Sequence, residues 1–341
     1  MIMFQNDYVE GAHPAVLQKL IDTNMEQSVG YGEDPYCEAA RERIRQAAGR
    51  QDVDVHFLVG GTQTNLTVID AALRPYQGAL CAQTGHINVH ETGSVEACGH
   101  KVLALPGQDG KITAEQVKEA HDSHWADGAR EHMVQPKLVY ISHPTELGTL
   151  YTKQELLDLR KVCDECGLYL FLDGARLAYG LAAEGTDVTL ADLAALTDAF
   201  YIGGTKVGAL FGECVVIRNP ALKEDFRYFI KQKGGMLAKG RLLGLQFLAM
   251  FEKDLYMEMG HHADRLAMKI RQGLREKGYR FYIDSVTNQQ FVIVENEKLK
   301  ELEKEFVFNH ETRYDEKHTV IRICTSWATK EENVEKLLER F

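Results

Sequence analysis

The segment Tyr201-Ile202-Gly203-Gly204-Thr205-Lys206-Val207-Gly208 sets one lysine after an apolar run and among small residues. A lysine so placed reaches a ligand without crowding, and its neutral amine is a nucleophile toward a carbonyl carbon, the chemistry of a Schiff base. Thr205 beside it can hydrogen-bond a phosphate. Alone the pattern is weak, because a lysine at a strand end is usually a solvated charge. Thirty-three residues earlier, Phe171-Leu172-Asp173-Gly174-Ala175-Arg176 puts an aspartate directly after an apolar strand. Charge is costly there without a partner. A protonated pyridine nitrogen is such a partner, and the ion pair keeps the ring an effective electron sink. Capping of the next helix is the plainer reading.

Two further segments belong with these. Val59-Gly60-Gly61-Thr62-Gln63-Thr64-Asn65 reads as a strand, a glycine pair and a helix start. Glycines let backbone N–H groups converge on an anion, and the helix start adds a favourable dipole. The spacing matches neither the Gly-x-x-x-x-Gly-Lys-Ser/Thr nor the Gly-x-Gly-x-x-Gly pattern, so a single phosphate suits it better. A helix cap by Thr62 is the competing reading. Thr84-Gly85-His86-Ile87-Asn88-Val89-His90-Glu91 follows another strand and offers an aromatic residue to stack on a planar ring, although one histidine among 13 is more often structural.

The elements that must position these groups alternate. Strands are expected at 53–59, 79–82, 102–105, 138–142, 168–173, 199–203 and 214–217, with helical patterns such as Lys153–Cys166 between several of them. That order predicts a mainly parallel sheet covered on both faces, with functional residues beyond the carboxyl ends of its strands. The span from Asp173 to Lys206 holds one helix and one strand, so both fall on the same sheet edge. After about residue 220 the texture changes. A long helix over 239–258, a second over 262–277, strands at 279–283, 291–294 and 319–323, and a closing helix at 330–341 predict a smaller α+β domain. The division is drawn at 1–245 and 246–341. The apolar stripe 242–250 reads as core or subunit interface, and the charge runs 295–305 and 315–318 as solvated faces.

Composition narrows the partners. The 341 residues are 45% hydrophobic and 26% charged, enough for a sizeable core. A formal net charge of -11 argues against nucleic acid as a partner, and no apolar run is long enough for a membrane span. Seven cysteines spread over the chain argue against a disulfide framework, and Cys163-Asp-Glu-Cys166 lacks the second pair that a metal site needs, so no metal is expected. A cytoplasmic location follows as the expectation.

Taken as an ordered set, these residues resemble the threonine aldolase and β-eliminating lyase family of fold-type I pyridoxal-phosphate enzymes. The resemblance covers most of the chain and rests on Tyr31-Gly32-Glu33-Asp34-Pro35, Gly61-Thr62-Gln63, His86 with Glu91, Asp173-Gly174-Ala175-Arg176, Thr205-Lys206 and Arg322. It implies the fold-type I α/β architecture and pyridoxal 5'-phosphate linked to Lys206. Asp173 would hold the pyridine nitrogen, with His86 on the ring and Gly61, Thr62 and Thr205 at the phosphate. Arg322 would bind the carboxylate of a small amino-acid substrate, with Arg176 assisting beside the cofactor, because a planar guanidinium donates two parallel hydrogen bonds. An exposed strand arginine is the ordinary alternative for Arg322. Asn6 and Tyr31 would lie near a site shared between subunits of a homodimer or homotetramer.

Three departures from the family pattern bear on the reaction. Asn6-Asp7 stands where Ser-Asp is usual, Glu146 stands near a family histidine, and the arginine of Gly-Gly-Gly-Met-Arg is absent unless Lys233 or Lys239 replaces it. Retro-aldol cleavage of L-threonine or L-allo-threonine to glycine and an aldehyde is the leading expectation. The alternative is β-elimination, or another Cα chemistry such as racemisation or transamination. His86 or Glu146 would supply the base.

Overall fold

The computed structural model describes all residues, Met1–Phe341. Its strands are β1 (Ile2–Met3), β2 (Asp54–Leu58), β3 (Gln77–Ala82), β4 (Lys101–Leu105), β5 (Gln135–Ser142), β6 (Tyr169–Asp173), β7 (Ala199–Gly203), β8 (Glu213–Ile217), β9 (Arg280–Phe281), β10 (Gln289–Glu295), β11 (Phe306–Val307), β12 (Asn309–Arg313) and β13 (His318–Cys324). Seven form the large sheet in the order β2-β8-β7-β6-β5-β3-β4. Neighbours from β4 to β7 pair in parallel, while β8 runs antiparallel to both β7 and β2. Every residue of β3, β7 and β8 is buried, the signature of strands covered on both faces. The expected strands are all present, with ends shifted by a few residues.

Local chemistry explains the crossover helices. Lys153–Cys166 starts at a reciprocal cap, in which Thr152 and Glu155 satisfy each other's backbone N–H groups. It stops at Gly167, whose φ of 63 suits a residue without a Cβ. Its inward face carries Leu156, Leu159, Val162 and Cys163. Burial pushes the Cys163 thiol up to about 12, so it serves as packing. The helix Gly61–Ala72 differs, since no side chain caps its start. The cap by Thr62 therefore does not form.

The segment after the large sheet departs from expectation. In place of one helix over 239–258, Arg241–Phe251 and Leu255–Glu276 are separated by a break at Asp254. Asp254 takes φ 58, a left-handed conformation that aspartate tolerates better than most residues. The second expected helix thus begins at Leu255. Residues 243–250 are all buried inside the chain against the helix Pro35–Ala47, which makes the apolar stripe core.

The small sheet, β12-β13-β10-β9, is antiparallel. Val292, Val294, Ile321 and Ile323 on one of its faces pack on Leu266, Ile270 and Leu274, and on Val334 and Leu337 of the closing helix Glu331–Arg340. Strand β12, Asn-His-Glu-Thr-Arg, escapes sequence reading because it has no apolar alternation; it is a charged, exposed edge. The run 295–305 is solvated only in part, since Leu299 and Leu302 of its helix are buried. The first residues of the chain join this unit, with β1 paired to β11 and Phe4 in the small core. No helix is long and apolar enough to cross a membrane.

Candidate active site

The parallel strands release their chains at one edge, and there the chemistry gathers. β2 leads to Gly60 and Gly61, β3 to His86, β5 to Glu146, β6 ends on Asp173 and β7 leads to Lys206. Because β8 is antiparallel, its first residue, Glu213, reaches the same edge. All these groups line one cavity of about 340 Å³, together with Tyr8, Thr62, Ser142, Arg176, Tyr201 and Thr205.

Asp173 sits at the floor. Its Oδ1 accepts from the Tyr201 hydroxyl at 2.6 Å and the Ala175 N–H at 2.9 Å; its Oδ2 accepts from Tyr140 at 2.5 Å and Asn65 at 3.0 Å. Burial alone would raise this carboxyl, but His86, Tyr140, Tyr201 and the Ala175 N–H outweigh it and hold the group below its ordinary range. Asp173 is therefore an ionised acceptor, and its role exceeds a helix cap. Two glycines permit the arrangement. A Cβ on Gly174 would overlap the Tyr201 carbonyl, and one on Gly203 would overlap the Ala175 carbonyl.

Lys206 points its amine into the cavity, 6.0 Å from the Tyr8 ring centroid, without a hydrogen-bond or ion-pair partner. Its backbone is anchored by the Tyr179 hydroxyl, which donates to the Lys206 carbonyl at 2.6 Å. Burial, then Arg176, push the amine below the usual lysine range; Asp7, Asp173 and Glu213 only partly oppose them. A partly neutral amine in a polar cavity is equipped to attack a carbonyl.

The imidazole of His86 is oriented by the buried Glu91, whose Oε1 lies 2.7 Å from Nδ1 and also accepts from Asn65 at 2.7 Å. Glu146 Oε1 accepts from the His86 N–H at 2.9 Å and the Ser142 hydroxyl at 2.7 Å. Burial raises its carboxyl more than these donors lower it. Arg176 is held bidentately by Asp7, Nε to Oδ2 at 2.6 Å and Nη2 to Oδ1 at 3.0 Å, so only its Nη1 remains without a protein acceptor. Asn288 also donates to Asp7, at 2.9 Å.

Other expected residues stand further out. Arg322 lies beyond the cavity lining; its Nη2 donates to the Gln5 carbonyl at 3.2 Å and its buried Nε has no partner. Asn6 accepts from the Tyr8 N–H at 3.1 Å and does not line the cavity. Thr205 gives its hydroxyl to the neighbouring turn, accepting from the Gly212 N–H at 3.0 Å. Tyr31, with φ 61, sits in a separate pocket beside Arg227 and under the Lys231 amine. Lys233 is paired with Asp70 at 2.7 Å, away from the cavity, and Lys239 is absent from its lining.

Sequence reading assigned no role to Asp7, Tyr8, Asn65, Tyr140 and Glu213. A signal existed for two of them. Tyr140 shares the face of β5 that Ser142 presents to the site, two residues on. Glu213 is an acid heading an otherwise apolar strand. The donor set as a whole fits a flat heteroaromatic base with a phosphate tail: a buried acceptor carboxylate, a free amine, an oriented imidazole, and an uncapped helix start with Gly60, Gly61 and Thr62 on the cavity wall.

Comparison with known proteins bears on this geometry. The model of the β-eliminating lyase family matches residues 4–297. The low specificity L-threonine aldolase of Pseudomonas aeruginosa is 29% identical over 270 residues, which cover 77% of this chain and 75% of that protein. Threonine aldolase from Leishmania major superposes with a TM-score of 0.97 at 46% identity, over 99% of this chain and 98% of the other. A mutant aspartate aminotransferase of Thermus thermophilus shares the fold, with a TM-score of 0.72 at 17% identity over 100% of this chain and 91% of that one.

Proposed function

We propose that this chain, which belongs to the β-eliminating lyase family, cleaves the Cα–Cβ bond of L-threonine or L-allo-threonine to glycine and an aldehyde, with pyridoxal 5'-phosphate attached at Lys206. The observation that carries the reading is a partnerless amine, Lys206, and a four-fold hydrogen-bonded carboxylate, Asp173, in one cavity. The threonine aldolases among its relatives support the reaction. Pyridoxal phosphate, when bound, supplies an electron sink for the pair left on the substrate Cα.

The protein's own part is binding, orientation and proton placement. Asp173 would hold the nitrogen of a bound pyridine ring in its protonated form, and the His86 imidazole, fixed by Glu91, would offer a face for that ring to stack on. Gly60, Gly61 and Thr62 offer N–H groups at a helix start to the phosphate. The free Nη1 edge of Arg176, with Arg322 of β13, would bind the substrate carboxylate and so fix the orientation of the bonds at Cα. Glu146, held by Ser142 and the His86 N–H, takes the proton of the substrate β-hydroxyl. Tyr31 belongs to a neighbouring subunit's site in a homodimer or homotetramer. The exposed Val29, two residues from Tyr31, and Tyr228, next to the Arg227 that shares its pocket, support that assignment.

Purified protein should absorb at roughly 410–430 nm with cofactor. It should release acetaldehyde from threonine and little pyruvate from serine, cysteine or tryptophan. Absence of acetaldehyde at saturating cofactor would sink the reaction and favour Cα chemistry without Cα–Cβ cleavage. Borohydride should trap cofactor on wild type and not on Lys206→Ala. Equal trapping by the variant would sink the attachment site.

A further inference from the structure

The cavity holds more acid than its bases can balance. Glu146, Asp173 and Glu213 line it, and Asp7 lies just behind, against Lys206 and Arg176. Arg176 is already bound by Asp7. Asp173 is satisfied by four donors. Glu213 is different. It is buried and forms no ion pair; its Oε2 accepts from the Gly204 N–H at 3.0 Å. Gly204 and Thr205 form the turn that delivers Lys206, and β8 holds Glu213 opposite Gly203. The groups facing Glu213 are Lys206 and Asp173 across the cavity, and the phenols of Tyr201 and Tyr256. Both phenols are engaged elsewhere, Tyr201 with Asp173 and Tyr256 with the Gly203 carbonyl at 3.0 Å.

A buried carboxylate that makes no ion pair, beside a second carboxylate that is ionised, takes up a proton in preference to charge. An anionic phosphate and a substrate carboxylate entering the same space add to that preference. We propose that Glu213 is a positioning residue that, as a neutral acid, braces the Gly204–Thr205 turn and sets the pH at which the Lys206 amine changes protonation. The physical consequence runs in one direction. Near neutral pH the uncharged acid leaves the Lys206 amine depressed and reactive. At higher pH Glu213 ionises and holds a proton on Lys206, so the two groups titrate as a pair. Burial pushes Glu213 up to about 8, in line with the geometry.

The inference rests on Lys206 as the reactive amine but requires no turnover to test. Trace labelling with acetic anhydride in cofactor-free protein, read by peptide mass spectrometry, reports the neutral fraction of Lys206 against the exposed Lys161 as an internal reference. Below about pH 7, Glu213→Gln should label within about twofold of wild type. Above about pH 8.5 it should label about threefold faster or more, because no carboxylate is left to retain the proton. Equal labelling at every pH overturns the proposal, and so does faster labelling of the variant already at pH 6–7, which would mean a charged Glu213. Should Glu213→Gln fail to fold, the wild-type profile decides: a single simple titration step for Lys206 overturns the coupling, and a broadened one supports it. Failure of the acetaldehyde assay would leave this result standing, and the reverse also holds.

Discussion

Asp173 is buried and meets four donors, two on each oxygen, and this makes its chemistry testable at the level of one atom. Asp173→Asn keeps the shape but turns an amide N–H₂ toward groups that are themselves donors, Tyr140, Tyr201, Asn65 and the Ala175 N–H. The variant should retain borohydride-trappable cofactor while kcat/KM falls roughly 10²–10³-fold, measured by steady-state acetaldehyde release. Glu146 makes a second residue-scale claim. A base acts only when ionised, and burial raises this carboxyl, so kcat should fall as pH drops through a value above the usual glutamate range. Glu146→Gln should lose that acid limb and lower kcat by about 10²–10⁴-fold, with KM little changed, in a pH–rate profile. An unaltered acid limb would pass the proton role to another group.

At the scale of elements, the strand-end turns carry the site, and their glycines are matters of space. A methyl at Gly174 has nowhere to go against the Tyr201 carbonyl, whereas one at Gly128 meets nothing within 4 Å. Gly174→Ala should therefore cost about 1–3 kcal/mol and weaken cofactor affinity, while Gly128→Ala stays within about 0.5 kcal/mol. Urea unfolding with a cofactor titration checks both. The same scale shows where sequence patterns suffice. Apolar runs bounded by glycine and polar turns located β5, β6 and β7, and leucines spaced among charges located Lys153–Cys166. Patterns failed at β12, whose side chains are all polar, and at Asp254, where one backbone angle splits a helix that its neighbours favour.

Across the whole molecule, one ion pair ties three regions together: Asp7 of the N-terminal segment, Arg176 beyond β6 and Asn288 before β10. Burial pushes Asp7 up, but Arg176 first, then Lys206 and the donors Arg176 and Asn288, hold it below the normal aspartate range. A depressed carboxyl contributes stability at neutral pH that is lost as pH falls through its folded value. Asp7→Asn leaves Arg176 buried and uncompensated, so it should lose about 3–5 kcal/mol at pH 7, a gap that narrows in acid. Denaturant unfolding at a series of pH values measures this. The proposed assembly belongs to the same scale. Met25 and Tyr228 are 89% and 76% exposed, and if they lie in the proposed subunit contact, Met25→Glu with Tyr228→Glu should lower the mass seen by light scattering.

Local chain chemistry determined much of this protein in advance. Apolar runs and glycine pairs act over a few residues, so the strands and the sheet edge at which Lys206, Asp173, His86 and Gly61 gather were legible without coordinates. The packed structure decided how those groups are satisfied. Donors to Asp173 come from four different segments, and the acid that occupies Arg176 comes from 169 positions away. Glu213 shares the cavity of the lysine only because β8 runs backwards. Hydrogen bonds and charges act through space, and distance along the chain says nothing of which groups they join.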